Sequence, residues 1–323
     1  MQSKNFESDN THKQQPRKTR KRTNGTLMRY PGGKSKFKKI IIPKLHELLE
    51  RDPSVVHYQE PFFGGGSVGL EFLAQTPTME KAWLNDRDVG VAALWTAVIQ
   101  YPEELIQRVV DFRPSVEAFD VCKAFLQSRK IPGGHEGIVE IGFQNLALNR
   151  ISYSGLGTKA GGPMGGRKQK SNDKIDSRCN PDRLVQEIEK THKLLATKSR
   201  YCCSSFDFQR MIEHPWAKSL IYLDPPYYWP GNTLYHCGFT VADHERLAAS
   251  LRASHHLWLL SYDDCSEIRK LYEWVVIEEI PARYSINGSV LKKDITTGHQ
   301  MSQNQRFENV PGSIVGVLQT GGF

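Results

Sequence analysis

The sequence predicts an α/β fold with a doubly wound, largely parallel sheet and helices on both faces. Three observations carry this. Apolar runs of strand length recur at 55–59, 82–84, 200–204, 220–223 and 257–260, with amphipathic helical stretches between most of them. A glycine run, Gly64-Gly65-Gly66, stands between the first strand and a helix, the grammar of a nucleotide-type site. Asp86, Asp207 and Asp224 each fall just past a strand. In an open α/β sheet those strand ends share one rim, and ligands bind there.

Composition bounds the answer further. With 323 residues, 39% of them hydrophobic, the chain can bury one large core and a smaller satellite unit. No run approaches the ~20 apolar residues that span a bilayer, and the N-terminus is polar and basic rather than signal-like. A soluble, cytoplasmic protein is expected. Six cysteines include no Cys-x-x-Cys, and no histidine lies at zinc-ligand spacing from a cysteine pair. No metal is expected. A net charge of +8 favours a polyanionic partner, nucleic acid ahead of an acidic membrane surface.

Residues 1–26 are polar and contain Arg17-Lys18-Thr19-Arg20-Lys21-Arg22. This is the composition of a disordered basic arm, either a phosphate tether or a solubilising tail. Arg29-Tyr30-Pro31-Gly32-Gly33-Lys34 reads as a tight turn opening a basic helix over 35–50, with Ile40, Ile41, Leu45, Leu48 and Leu49 on its apolar side. The strand at 55–59 leads into Glu60-Pro61-Phe62-Phe63-Gly64-Gly65-Gly66-Ser67. Neither Gly-x-Gly-x-x-Gly nor a Gly-Lys-Ser/Thr phosphate loop is present, which disfavours nicotinamide chemistry and ATP hydrolysis. The paired phenylalanines favour a ring-bearing ligand.

The strand at 82–84 ends in Asn85-Asp86. Asp86 sits about twenty residues beyond the glycine loop, the offset at which an acid meets a ribose diol. The same residue type would also cap the helix expected over 89–99. Residues 101–127 are helical with a break at Pro114, and 138–148 is a further helical piece. A long glycine-rich loop follows, containing Asn149-Arg150-Ile151-Ser152-Tyr153-Ser154 and then Gly165-Gly166-Arg167-Lys168-Gln169-Lys170. It reads as a DNA-facing loop or hairpin, with Arg150, Arg167, Lys168 and Lys170 near phosphates and Tyr153 able to stack or wedge. The other reading is a disordered insertion, and order on binding would reconcile the two. Asn180-Pro181 caps a helix running to 197.

The strand at 220–223 ends in Asp224-Pro225-Pro226-Tyr227. Two prolines stop the strand and deliver a carboxylate, a rigid turn and an aromatic ring together. An aromatic loop holding Tyr228, Trp229 and Tyr235 comes next. A helix over 240–253, a strand at 257–260, a short helix at 268–272 and strands at 274–280 and 314–318 complete the pattern.

In this order, Arg-Tyr-Pro-Gly-Gly-Lys, Glu-Pro-Phe-Phe-Gly-Gly-Gly-Ser, Asn-Asp, Leu-Asn-Arg and Asp-Pro-Pro-Tyr resemble the motifs of Dam-type DNA adenine-N6 methyltransferases, the D12 class in its alpha arrangement. The resemblance runs over residues 27–286. It implies a Rossmann-like S-adenosylmethionine-dependent methyltransferase sheet with a small inserted recognition domain of helices and loops. The implied organisation is an arm at 1–26, a catalytic domain in two parts at 27–112 and 198–323, and a target-recognition domain at 113–197. S-adenosyl-L-methionine is the implied cofactor and double-stranded DNA the implied partner of a bacterial or phage-encoded monomer or weak dimer.

The resemblance also assigns roles. Tyr30, Pro31, Gly32 and Lys34 would meet the cofactor from the N-terminal turn. Glu60, Pro61, Phe62, Phe63, Gly64, Gly66 and Ser67 would line its methionine and ribose, Asp86 would bind the ribose hydroxyls, and Asp207 or Phe208 its adenine. Asp224 and the Pro225 carbonyl would accept hydrogen bonds from the target amino group beside the cofactor. Pro226 would stiffen the turn, Tyr227 would stack on the flipped base and Tyr235 would cover the pocket. Relatives that read GATC continue from the recognition tyrosine as Tyr-Asn-Gly-Leu, with an arginine soon after. Here Ser154 follows Tyr153, and Gly157-Thr158 stands near the arginine's place. Arginine or lysine on guanine is the commonest specific base contact, so a site other than GATC, or relaxed specificity, is expected. An RNA or small-molecule amine methyltransferase and a catalytically silent DNA-binding relative are the competing readings.

Overall fold

The computed structural model describes residues 26–29, 33–128, 133–197, 201–228, 239–282 and 312–319. The arm at 1–25, Tyr30, Pro31, Gly32, the loop at 229–238 with Tyr235, and the turn expected at 283–288 lie outside the described residues.

One sheet contains β1 (His57–Glu60), β2 (Lys81–Asn85), β3 (Tyr201–Ser204), β4 (Leu220–Leu223), β5 (Leu257–Asp263), β6 (Val276–Ala282) and β7 (Gly312–Gln319). Their order is β3-β2-β1-β4-β5-β7-β6. The first five are parallel, and β7 runs antiparallel between β5 and β6. The fold is thus the α/β class expected, with a parallel centre flanked by helices. The order reverses where β1 meets β4, and a crevice opens outside the carboxyl ends of strands at such a switch point.

Alternation along the strands builds the two faces. Leu220 and Tyr222 of β4, with Leu257 and Leu259 of β5, join one hydrophobic cluster; Ile221, Leu223, Trp258, Leu260 and Tyr262 join the other. The first face is covered by α1 (Lys38–Arg51), which buries Ile41, Ile42, Leu45 and Leu48 there. The second is covered by α8 (Phe208–Ile212), α9 (Val241–Ala253) and α10 (Ser266–Leu271). The helix expected over 35–50 begins later, at Lys38 after a 3-10 turn. Its buried stripe is Ile41, Ile42, Leu45 and Leu48, so Ile40, 37% exposed, lies outside it and Leu49 is only partly buried.

Between β1 and β3 the chain forms α2 (Gly69–Gln75), α3 (Val89–Gln100), α4 (Pro102–Asp111), α5 (Val116–Gln127), α6 (Gly134–Ile151) and α7 (Pro181–Leu195). Asn180 caps α7 by accepting from the Arg183 amide at 2.8 Å. Phe119, Leu146 and Ile188 of this segment share a cluster with Leu84 and Trp95. The α6 helix extends beyond the expected 138–148 and takes in Asn149 and Arg150, which the sequence had suggested for a loop. It packs against both α3 and α5. Buried on most sides, it lacks the one-sided stripe that marks a helix in sequence.

Candidate active site

A cleft of about 1000 Å³ opens at the switch point. Glu60, Phe62, Gly64, Asp86, Asp207, Asp224 and Tyr227 all line it. The strand-end residues expected on one rim are therefore together.

The glycine-loop side is tied down by backbone bonds. The Phe63 amide donates to the Asn85 carbonyl at 2.7 Å, and Trp95 Nε1 donates to the Gly64 carbonyl at 2.9 Å. Gly66 has φ +67°, and a Cβ there would lie 2.8 Å from Phe63 Cζ, so any side chain strains the turn. Asp86, 7% exposed, accepts from the Gly64 amide at 2.8 Å and the Asp88 amide at 2.9 Å. The helix-cap reading of Asp86 is corrected: Asp88 caps α3, accepting from the Gly90 and Val91 amides. Burial, with Asp88 adding to it, pushes the Asp86 carboxyl up to about 7. Burial likewise pushes Glu60 well above the carboxylate range, although the Tyr58 hydroxyl donates to it at 2.8 Å.

The neighbouring acid, Asp207, differs. It caps α8 through the Gln209 amide and takes a bidentate pair from Arg246, at 2.8 and 3.0 Å. Burial raises its pKa, but Arg246 and the Gln209 amide outweigh that and hold it below the usual range. Phe208 forms a three-ring cluster with Phe62 and Phe239, with centroids 5.4–5.7 Å apart. The Arg246 guanidinium lies 4.5 Å from the Phe208 centroid.

Asp224 stands where β4 ends. Its Oδ1 meets Lys34 Nζ at 2.5 Å and accepts from Ser261 Oγ at 3.0 Å. Lys34 is only 2% exposed, and its ammonium lies 5.1 Å from the Tyr227 centroid. A buried ammonium is tolerated when it is paired.

The remaining wall is basic. Arg29 Nη2 and Arg178 Nη1 both donate to the Tyr153 carbonyl, at 2.9 and 3.2 Å. Arg29 also holds the Ser152 carbonyl at 3.1 Å. Burial lowers its pKa to about 10, assisted by Arg178 and Arg150. Arg150 lines the cleft, but its Nη2 is committed to the carbonyls of Thr26 and Leu27. Arg167, Lys168 and Lys170 lie outside the cleft lining: Arg167 makes a bidentate pair with Asp120, and Lys168 and Lys170 are exposed. Tyr153 is 72% exposed at the head of a turn bridged by Ser152 and Pro163, and the Ser154 hydroxyl accepts from the Leu156 amide at 3.4 Å.

A family model described as D12 class N6 adenine-specific DNA methyltransferase matches residues 30–286. The chain belongs to that family. It is also 24% identical over 277 residues to the Type II methyltransferase M.MjaIII of Methanocaldococcus jannaschii, covering 81% of this chain and 92% of that protein. DNA adenine-N6 methylation is therefore the activity of the family to which this methyltransferase belongs.

Sequence reasoning missed Arg178, Arg183, Arg246, Phe239 and Ser261 as residues of the cleft or its support. Arg29 was visible beside the Pro-Gly-Gly turn but carried no role. No local pattern marks the others, because each reaches the cleft through the tertiary fold. Among the described residues, no helix is long and apolar enough to cross a membrane, and no cluster of His, Cys, Asp and Glu is arranged to hold a metal.

Proposed function

We propose that this chain is a site-specific DNA-methyltransferase (adenine-specific) that uses S-adenosyl-L-methionine and acts on an adenine flipped out of duplex DNA. The observation that carries the reading is one cleft containing Asp224, Pro225 and Tyr227 on one side and Asp86 with the glycine loop on the other.

The cleft's donors and shape fit the cofactor. Asp86 has its carboxylate at the loop and no cationic partner among the groups bonded to it, which suits a ribose diol. The rings of Phe62, Phe208 and Phe239 suit an adenine face. Arg246 occupies both oxygens of Asp207, so Phe208 is the better candidate for that contact. When bound, S-adenosyl-L-methionine supplies an electrophilic methyl on a sulfonium sulfur.

The chain's residues prepare the nucleophile. An adenine amino nitrogen is a weak nucleophile because its lone pair is delocalised into the ring. Asp224 and the Pro225 carbonyl accept the two amino protons, which favours a pyramidal nitrogen with its lone pair free. Tyr227 stacks on the base and offsets part of the few kcal/mol needed to extrude it. Positioning then supplies much of the rate. The inserted segment at 113–197 faces the DNA with Tyr153, Ser154, Arg167, Lys168 and Lys170, and Arg29 and Arg178 hold phosphate beside Tyr153. Its sequence preference is not strict GATC.

The test is methyl incorporation from labelled S-adenosylmethionine into three substrates: a duplex with GATC sites, a duplex without them and an unstructured RNA. Incorporation into adenine of both duplexes is expected. Incorporation into the GATC duplex alone contradicts the specificity reading, and incorporation into RNA alone contradicts the substrate.

A further inference from the structure

Asp224 follows the last residue of β4, and its side chain is held from the neighbouring strand. Leu223 is in register with Leu260 of β5, so Ser261 stands beside Asp224. Ser261 is 3% exposed and belongs to a central strand paired on both sides. Strand residues hold a functional group with less freedom than loop residues do.

The hydrogen bonds have a definite direction. A carboxylate paired with lysine only accepts, so the 3.0 Å contact runs from Ser261 Oγ to Asp224 Oδ1. A serine has one proton, and the Leu223 carbonyl at 3.3 Å is its longer alternative. The fully buried Tyr222 hydroxyl lies 3.0 Å from Ser261 Oγ. With the serine proton directed at Asp224, Tyr222 is the donor in that contact. The chain is Tyr222 to Ser261 to Asp224 Oδ1, and Lys34 Nζ meets the same oxygen at 2.5 Å.

We infer that Ser261, backed by Tyr222, is a positioning residue for methyl transfer: it joins Lys34 in fixing Asp224 Oδ1 and thereby leaves Oδ2 to accept the target amino proton. The inference rests on the reading that Asp224 receives the adenine amino group. Without the serine bond, Asp224 can rotate about a single contact to lysine. The acceptor then loses its alignment while the pocket for the base and the cofactor stays intact.

The experiment compares wild type with Ser261→Ala, Ser261→Thr, Tyr222→Phe, the Ser261→Ala/Tyr222→Phe double variant and Asp224→Ala. The readout is steady-state and single-turnover methylation of unmodified plasmid DNA with labelled S-adenosylmethionine. Ser261→Ala should lower kcat by about 10- to 100-fold, with KM for DNA and cofactor within about two-fold of wild type. Threonine keeps the hydroxyl and should recover the rate to within about three-fold. Tyr222→Phe should cost less, and the double variant should match Ser261→Ala, because the phenol acts through the serine.

A kcat for Ser261→Ala within about two-fold of wild type overturns the inference. So does a loss that appears in KM instead, or a threonine variant no faster than alanine. If Ser261→Ala fails to fold, Tyr222→Phe decides, and an unchanged kcat there overturns it. Asp224→Ala separates the two levels. Wild-type rates in that variant sink the reading of the site itself. An inactive Asp224→Ala beside an unimpaired Ser261→Ala sinks only the role of Ser261.

Discussion

Two carboxylates face one cleft from the ends of β2 and β4, and their surroundings are opposite. Asp86 is held by backbone amides, and burial pushes it up to about 7. Asp224 is met by a buried ammonium and a serine hydroxyl. Among the described residues no cation is bonded to the first, which suits a neutral diol that donates hydrogen bonds. The second has one oxygen fixed in place, which suits a reacting amino group that must be aligned. On the proposed reading, the same residue type at equivalent strand ends takes a binding role or a chemical role according to its partners.

The binding side should break first where its backbone is tightest. Gly66→Ala puts a Cβ against the Phe63 ring at φ +67°. The left-handed backbone alone costs roughly 1–2 kcal/mol, and the clash adds to it. Cofactor affinity should fall about 100-fold, measured by titration calorimetry, with DNA binding less affected. Unchanged cofactor affinity would show that the loop does not cradle the ligand.

Asp86→Asn sharpens the same contrast through pH. The folded chain keeps a proton on Asp86 up to about 7, whereas the unfolded chain releases it near 3.8. Stability from this group therefore falls as pH rises through that window, and asparagine removes the slope. Cofactor affinity runs the other way, because a diol needs the ionised acceptor. Affinity should rise about ten-fold per pH unit below the pKa and level off above it, and Asp86→Asn should bind weakly with no such dependence.

The basic wall should respond least per residue. Arg29→Ala and Arg178→Ala should each reduce the slope of log affinity for DNA against log salt by about 1. Neither should change the order in which different duplex sequences are preferred. A changed preference would make these arginines base readers.

The sequence revealed the sheet because strand-length apolar runs and glycine or proline stops are local signals. It revealed the rim because strand ends converge in any open parallel sheet. It did not separate Asp86 from Asp88 as the cap of α3, since the two lie three residues and one residue before the helix start and only geometry chooses. It misjudged the end of α6 because a helix buried on most sides has no stripe to follow. Arg246 meets Asp207, and Ser261 meets Asp224, across about 40 residues of chain, contacts made by packing rather than by spacing.

On the proposed reading one cleft divides its work between Asp86 and Asp224. Cofactor affinity and single-turnover methylation of duplex DNA, measured on the same preparations of Asp86→Asn and Asp224→Ala, test that division. Asp224→Ala should bind cofactor within about three-fold of wild type yet transfer methyl at least about 100-fold more slowly. Asp86→Asn should lose affinity but approach the wild-type rate at saturating cofactor. If Asp86→Asn stays slow at saturation, or Asp224→Ala fails chiefly by losing cofactor, the division of labour is contradicted.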